Sequence, residues 1–156
     1  MYFNLIKADL SYLKMICRFT DFWLAGRGMK SNAPGAMNDY FISPSQHEKY
    51  ITKYKTYIVI DCENIIAWTV IQLDGSLIHL LIDGTWRGKG LGSRILKELN
   101  PQKVHSKSNQ SSGNPAAFYE HCGYIKTDTV TSKSRFDINK IRPDRKKIID
   151  IYQKVS

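Results

Sequence analysis

The sequence predicts an α/β fold of the α+β type, with a mixed, mostly antiparallel sheet flanked by helices. The β-rich segments TYIVID, NIIAWTVIQL and SLIHLLI follow one another with only short turns between them, which is typical of an antiparallel meander. Segments whose apolar residues have helical spacing stand on both sides of this meander. The chain has 156 residues, enough for one core, so we expect a single domain over residues 1–156.

The part of the chain before the meander predicts a strand, a helix and a long loop. A strand is favoured near residues 2–6, and apolar residues at helical spacing predict a helix from about Ala8 to Gly26. The next stretch, GRGMKSNAPGAMNDYFIS at 26–43, mixes glycine, proline and asparagine with aromatic residues. Because so long a loop is uncommon in a small domain, we expect it to cover or bind something.

A second helix is predicted over residues 44–54. Ser43 is a good N-cap, Pro44 suits the first helical position, and Gln46 lies three residues after the cap. The three β-rich segments follow directly. Two helices are therefore predicted between the first strand and the meander.

The part of the chain after the meander alternates helices and strands. LGSRILKELN predicts a helix that Pro101 stops, KVHSK predicts a strand, and NPAAFYEHCGYI predicts a helix with Asn114 as cap, Pro115 in the first turn and Gly123 at a left-handed C-cap. A hairpin of residues 124–130 and 134–138 and a basic, partly helical tail complete the chain. The predicted order is β-α-α-β-β-β-α-β-α-β-β.

Charge and cysteine content limit the possible partners and the compartment. The formal net charge is +9 and the pI is near 9.5, which favours a phosphorylated cofactor, nucleic acid or another anionic partner. Cys17, Cys62 and Cys122 are odd in number and have no metal-like spacing, so we expect free thiols, no metal and a reducing, cytoplasmic location. The N-terminal residues have neither a signal-peptide nor a membrane-span pattern.

The stretch IDGTWRGKGLGS has the character of an anion-binding loop. A strand that runs into glycines and then into a helix directs free N–H groups and the positive end of the helix dipole toward a bound anion. It is not a P-loop, because the residue after Lys89 is Gly90 and not Ser or Thr. It is not the dinucleotide fingerprint either, because the glycines run Gly-x-Gly-x-Gly in antiparallel surroundings.

Two motifs resemble those of a known family. Arg87-x-x-Gly90-x-Gly92 resembles the acyl-CoA pyrophosphate loop of the GNAT superfamily of N-acyltransferases. NPAAFYEHCGYI, some thirty residues later, resembles the second signature of that family, and the order of elements agrees over essentially the whole chain. The resemblance implies acetyl transfer from acetyl-CoA to a primary amine, by direct attack through a tetrahedral intermediate.

The resemblance also implies where acetyl-CoA binds, in a gap between two splayed central strands. The backbone of the strand residues Leu80, Leu81 and Ile82 would bind the pantetheine arm and polarise the thioester carbonyl, and Tyr119 would protonate the leaving thiolate. The family's cofactor-arm asparagine corresponds here to Ser112, so the cofactor contact near Ser112 and Asn114 departs from the family pattern. The residues implied for the pyrophosphate loop are Arg87, Gly88, Lys89, Gly90, Leu91, Gly92 and Ser93.

The acceptor side is defined less sharply by the sequence. The candidates for the general base are His79, Asp39 or a chain of water molecules. His105 and His121 have no metal-ligand spacing, so we expect them to be exposed to solvent. The side chains expected to shape the acceptor pocket are Phe22, Trp23, Arg27, Tyr40 and Phe41, and Arg27 would favour an acceptor that carries negative charge.

Two other functions are compatible with the same sequence. One is a GNAT-like protein that binds or modifies nucleic acid through its positive charge. The other is an acyl-CoA-binding domain without catalysis, which the serine at position 112 makes conceivable. The acceptor is open, and both a monomer and a homodimer are compatible with the sequence.

Overall fold

The computed structural model describes residues 3–25, 42–107, 115–133 and 146–155. Within these ranges, one sheet has the strand order β1-β2-β3-β4-β5-β7-β6, and each neighbouring pair is antiparallel except β4 with β5. This is the predicted mixed, mostly antiparallel sheet. The strands are β1 Leu5–Lys7, β2 Lys55–Asp61, β3 Asn64–Ile71, β4 Leu77–Ile82, β5 Lys103–Lys107, β6 Tyr124–Lys133 and β7 Lys146–Lys154.

Helices cover both faces of the sheet. The described α-helices are α1 Leu13–Ala25, α2 Pro44–Thr52, α3 Leu91–Leu99 and α4 Ala116–His121, with 3-10 turns at Leu10–Tyr12 and Gly84–Trp86. Their order among the strands is the predicted one. No described helix is long and apolar enough to span a bilayer.

The local signals at the helix ends are confirmed in most cases. The Ser43 side chain accepts a hydrogen bond from the backbone N–H of Gln46 at 3.2 Å, and Pro44 is the first residue of α2. The first predicted helix begins later than expected, because the side chain of Asp9 caps a 3-10 turn before α1 starts. Pro115 lies immediately before α4 and not inside its first turn.

The C-terminal tail is predicted to be partly helical, and over its described residues, 146–155, this prediction is wrong. Residues 146–154 form β7, which lies between β5 and β6 and pairs antiparallel with both. The run KKIIDIY is rich in β-branched residues, and Tyr152 is buried at 1% exposure in the core opposite Val104. The predicted hairpin partner at 134–138 lies outside the described residues.

The core is divided by the sheet into two faces. On one face, α1 and α2 pack over Ile58, Trp68 and Val70. On the other face, α3 packs over Val59 and Ala67. Since every residue of β3 after Asn64 is buried, β3 is the central strand against which both layers are built.

The sheet opens between β4 and β5. These parallel strands pair at one position, Leu77 opposite Val104. At the same level, the register between β3 and β4 shifts, so that Ile78 is an extra residue on β4. A bulge of this kind bends its strand and increases the local twist. The splay that the family resemblance implied is therefore present, and it starts at the bulge.

Candidate functional site

A pocket of about 650 Å³ lies where β4 and β5 separate. It is bounded by β4, by β5, by the loop before α3 and by the start of α4. Its volume is within the usual range for small-molecule and cofactor sites. Within the described residues its lining includes no Asp or Glu, and no group of His, Cys, Asp or Glu there is arranged to hold a metal ion.

The pocket brings together most of the residues that the two motifs indicated. The β4 strand, the glycine loop and α4 are distant in sequence, and they meet at the open edge of β4. Lys89 does not line the pocket, and its Nζ lies 5.2 Å from the ring centroid of Trp86. The predicted site residues that line the pocket are His79, Leu80, Leu81, Ile82, Arg87, Gly88, Gly90, Leu91, Gly92, Ser93 and Tyr119.

Two of the predicted acceptor-site residues are described, and neither lines the pocket. Phe22 is 37% exposed and meets Trp23 edge to face, with 4.7 Å between ring centroids. Trp23 covers Gly84, where an added Cβ would lie 2.5 Å from the indole Cζ3. Their role in acceptor binding stays a prediction. The other predicted site residues Arg27, Asp39, Tyr40, Phe41, Ser112 and Asn114 lie outside the described residues.

The glycine loop ends in the N-terminus of α3. Gly88 and Gly90 have φ values of +79° and +82°, in the left-handed region that favours glycine. Gly90 occupies the N-cap position without a side-chain cap, and its carbonyl accepts from the Arg94 N–H at 3.2 Å. The N–H groups of the first helical turn have no acceptor within the helix. They and the positive end of the helix dipole make the loop suitable for an anion.

Gly92 is required for a different reason. Its backbone is helical, and an added Cβ would lie 2.9 Å from Cζ of Phe118 on α4. The absence of a side chain therefore allows α3 and α4 to approach closely at the pocket. Phe118 itself lines the pocket beside Tyr119. Thus one glycine-rich loop combines turn conformation at Gly88 and Gly90 with close packing at Gly92.

Tyr119 is a protonated phenol in a buried setting. Its side chain is 5% exposed, and its ring lies 5.5 Å from that of Tyr152 and 6.3 Å from that of Tyr124. Burial raises the pKa of Tyr119 well above its ordinary value, and Cys122 and the two neighbouring tyrosines add to the effect. The hydroxyl therefore keeps its proton at neutral pH and can act as a donor.

His79 lines the pocket directly after the β4 bulge, and both of its ring nitrogens have a neighbour. Nε2 lies 2.9 Å from the Tyr50 hydroxyl, and Nδ1 lies 3.1 Å from Nζ of Lys107. The same ammonium donates to the carbonyl of Ile78 at 2.8 Å. The imidazole also packs on Trp68, with 4.9 Å between ring centroids.

Sequence reasoning missed several residues that line the pocket. His105 was expected to be exposed, and this is wrong: it is half-buried on β5, and burial lowers its pKa, with Asp74 opposing and Lys103 adding. His121 is exposed as predicted. The alternation in KVHSK places His105 and Lys107 on one face of β5, but only the parallel pairing with β4 brings that face to the pocket. Other missed residues are Leu24, Trp68, Ile78, Trp86, Ser106, Pro115, Phe118 and His121.

Comparisons with known proteins agree with this fold. The family model of the acetyltransferase (GNAT) domain matches residues 52–126, whereas no curated protein sequence matches the chain. A GCN5-related N-acetyltransferase from Rhodopseudomonas palustris is similar in structure, with a TM-score of 0.69 and 10% identity over 100% of this chain and 99% of that chain. Naa50 from Arabidopsis thaliana, in complex with the bisubstrate analogue CoA-Ac-MVNAL, has a TM-score of 0.61 and 14% identity over all of both chains.

A bacterial enzyme with a named acceptor has the same fold. The ribosomal-protein-S18-alanine N-acetyltransferase from Escherichia coli has a TM-score of 0.61 and 10% identity over 99% of this chain and 96% of that chain. At these identities the structural neighbours establish the fold, and the family model identifies the domain. Residues 52–126 match the GNAT acetyltransferase domain, the chain has the fold of GNAT acetyltransferases, and these two findings together identify an enzyme of the GNAT acyltransferase type.

Proposed function

We propose that this enzyme transfers an acetyl group from acetyl-CoA to a primary amine. The observation that carries the proposal is the continuity of one pocket from the glycine loop before α3, along the open edge of β4, to the side chain of Tyr119. A thioester cofactor that carries a pyrophosphate needs these three features in this order. The family match supports the same donor.

In this proposal the glycine loop binds the pyrophosphate, and β4 binds the arm of the cofactor. The loop offers backbone N–H groups and the helix dipole, which suit a phosphate without any metal-binding side chain. The residues Leu80 to Ile82 run along the edge of β4 that β5 leaves unpaired. Backbone groups on such an edge are available to the amides of a pantetheine arm.

The reaction follows from the charges that develop during transfer. The acceptor nitrogen attacks the thioester carbon, a C–N bond forms, and the carbonyl oxygen becomes negative. Collapse of this intermediate breaks the C–S bond, the thiolate takes the proton of Tyr119, and the tyrosinate regains a proton from water in the open pocket. A backbone N–H of β4 stabilises the oxyanion. The acceptor nitrogen loses its own proton to a base, for which the sequence candidates are His79, Asp39 and water.

Calorimetric titration with acetyl-CoA tests the donor site, and ADP is the control for generic phosphate binding. One-to-one binding that is clearly tighter than that of ADP is expected. The first acceptors for a turnover assay are a peptide MVNAL and a peptide that begins with alanine, because two similar folds carry these acceptors in their names. Absence of acetyl-CoA binding would refute the proposal, and binding without turnover on a broad amine panel would favour a non-catalytic domain.

The variant Tyr119→Phe tests the general acid. Loss of a positioned acid typically costs about 10²–10⁴-fold, so kcat should fall strongly while the Kd for acetyl-CoA changes little. Tyr152→Phe is the matched control, because Tyr152 is buried 5.5 Å from Tyr119 and does not line the pocket. An equal loss of cofactor affinity and turnover in Tyr119→Phe would show that this tyrosine is structural.

The net charge of +9 favours a second candidate function, in which the acceptor is carried by nucleic acid or the protein binds nucleic acid. Phosphate contacts release counterions, so such binding should weaken steeply as salt is raised. Titration of tRNA and of duplex DNA at several salt concentrations measures this slope. Binding that does not respond to salt would exclude this candidate.

A further inference from the structure

Among the described residues, the Lys107 side chain bridges the open gap between β4 and β5. Beyond Leu77 opposite Val104 the two strands are no longer paired, and Lys107 reaches from β5 to two groups on β4. Its Nζ lies 2.8 Å from the carbonyl of Ile78, the bulge residue, and 3.1 Å from Nδ1 of His79. Lys107 therefore ties the strands together at the level where the pocket begins.

The direction of these hydrogen bonds fixes the state of the imidazole. An ammonium group only donates, so Nδ1 of His79 must accept and cannot carry a proton while Lys107 is in place. The proton of the neutral ring is then on Nε2, which donates to the Tyr50 hydroxyl at 2.9 Å. The ring is held further by its contact with Trp68. We call the chain Lys107–His79–Tyr50 the cross-strand clamp.

We propose that Lys107 is a positioning residue for acetyl transfer: through the cross-strand clamp it holds His79 as a neutral Nε2–H imidazole and fixes the acceptor side of the gap. The effect of Lys107 on turnover rests on the proposed function, whereas the protonation state of His79 in the clamp does not. In the clamp, the lone pair on Nδ1 is occupied by Lys107, so His79 serves as a rigid wall and the acceptor proton leaves by another group. Lys107 thus acts on the reaction through His79 and the bulge carbonyl.

Nitrogen NMR of the histidine side chains tests the clamp without any ligand. In the native chain, the His79 spectrum should show protonated Nε2 and unprotonated Nδ1, and it should stay so between about pH 8 and pH 5, where an unperturbed imidazole changes its charge. In Lys107→Met, Nδ1 loses its donor, so His79 should titrate. His79→Gln assigns the signals. Among the described residues, the buried or half-buried titratable groups on α1, α2 and β5 around this face are Cys17, Asp21, His47, Lys49, Tyr50, His105 and Lys107.

Two variants keep the test independent of folding defects. Tyr50→Phe removes the partner of Nε2 but leaves Lys107, so the tautomer should persist. Lys107→Arg keeps a cation, and it should preserve the unprotonated Nδ1 if its guanidinium reaches the same two groups. A native spectrum with Nδ1 protonated would overturn the proposal, as would a His79 spectrum that is unchanged in a folded Lys107→Met variant.

Kinetics of the same variants test the role in turnover. With an accepted amine, Lys107→Met should lower kcat/KM for the acceptor by about tenfold or more, because small displacements at a reacting centre are costly. The Kd for acetyl-CoA should change little, since the glycine loop is untouched. If the native protein does not bind acetyl-CoA, the proposed function fails and the NMR result still decides on the clamp. A normal acceptor kcat/KM in Lys107→Met would refute the positioning role alone.

Discussion

Acid sensitivity of folding should depend strongly on His47, which lies in the core between α1 and α2. Its side chain is fully buried, and Nε2 lies 2.8 Å from Oγ1 of Thr20. The Thr20 hydroxyl lies within reach of the carbonyl of Ile16 at 3.1 Å, so it donates there and accepts from Nε2–H of the histidine. Nδ1 is then an unprotonated nitrogen with no hydrogen-bond partner. A proton added there would place an uncompensated charge in the core.

The size of the effect follows from the pKa of His47, which burial lowers from 6.5 to about 3. Between these values the unfolded chain binds a proton that the native chain does not, so stability is complete above pH 6.5 and falls as pH falls through this window. Each pH unit inside the window removes about 1.4 kcal/mol from the free energy of unfolding. Between pH 7.5 and 5 the loss is about 2 kcal/mol, and over the whole window it approaches about 5 kcal/mol.

Urea unfolding at several pH values between 7.5 and 5 measures this loss for the native chain and for His47→Gln. Carboxylates titrate mostly below this range, so they contribute little. From pH 7.5 to pH 5, the free energy of unfolding of the variant should fall by about 2 kcal/mol less than that of the native chain. His121→Gln, at an exposed site, is the matched control and should retain the native slope. Equal pH dependence in the native chain and His47→Gln would refute the reasoning, because the buried histidine would then not be the group that resists protonation.

Other substitutions test the packing around the pocket. Gly92→Ala should weaken acetyl-CoA binding because its Cβ would lie 2.9 Å from Phe118, and the double variant with Phe118→Leu should recover part of the affinity by calorimetry. Gly90→Ala meets no atom within 4 Å but has φ +82°, so it should cost about 1–2 kcal/mol of stability in urea without rescue by Phe118→Leu. Gly84→Ala should lower the melting temperature because Trp23 lies 2.5 Å from the new Cβ, and Trp23→Leu in the same chain should offset part of that loss.

Local sequence signals predicted much of the fold because they act over a few residues. The cap at Ser43 and the three strands of the meander depend on neighbours in sequence, and both are present. The tail illustrates the opposite case. Its basic residues and short apolar run are compatible with both a helix and a strand. The strand forms because this segment pairs with β5 and β6, which are far away in sequence, and Tyr152 is buried between them.

The candidate site divides in the same way. The glycine loop and the helix of Tyr119 are contiguous motifs, so their site residues were predicted from sequence, and all of these except Lys89 line the pocket. His105 and Lys107 belong to no motif, and they reach the pocket only because β5 is parallel to β4 with Val104 opposite Leu77. A pairing of this kind depends on register between segments that are nearly thirty residues apart. The charge of KVHSK and its alternation of polar and apolar residues did not predict this parallel pairing.

One extra residue on β4 accounts for both the gap and its clamp. Because Ile78 is inserted in the register with β3, β4 turns away from β5 immediately after Leu77, and an edge is exposed in the middle of a sheet. An open edge inside a core leaves polar backbone groups without partners, which is costly unless something binds them. At the start of the gap, Nζ of Lys107 donates a hydrogen bond to the carbonyl of Ile78. The backbone beyond it, from Leu80 to Ile82, faces the pocket, and a ligand with amide groups is what that edge is suited to bind.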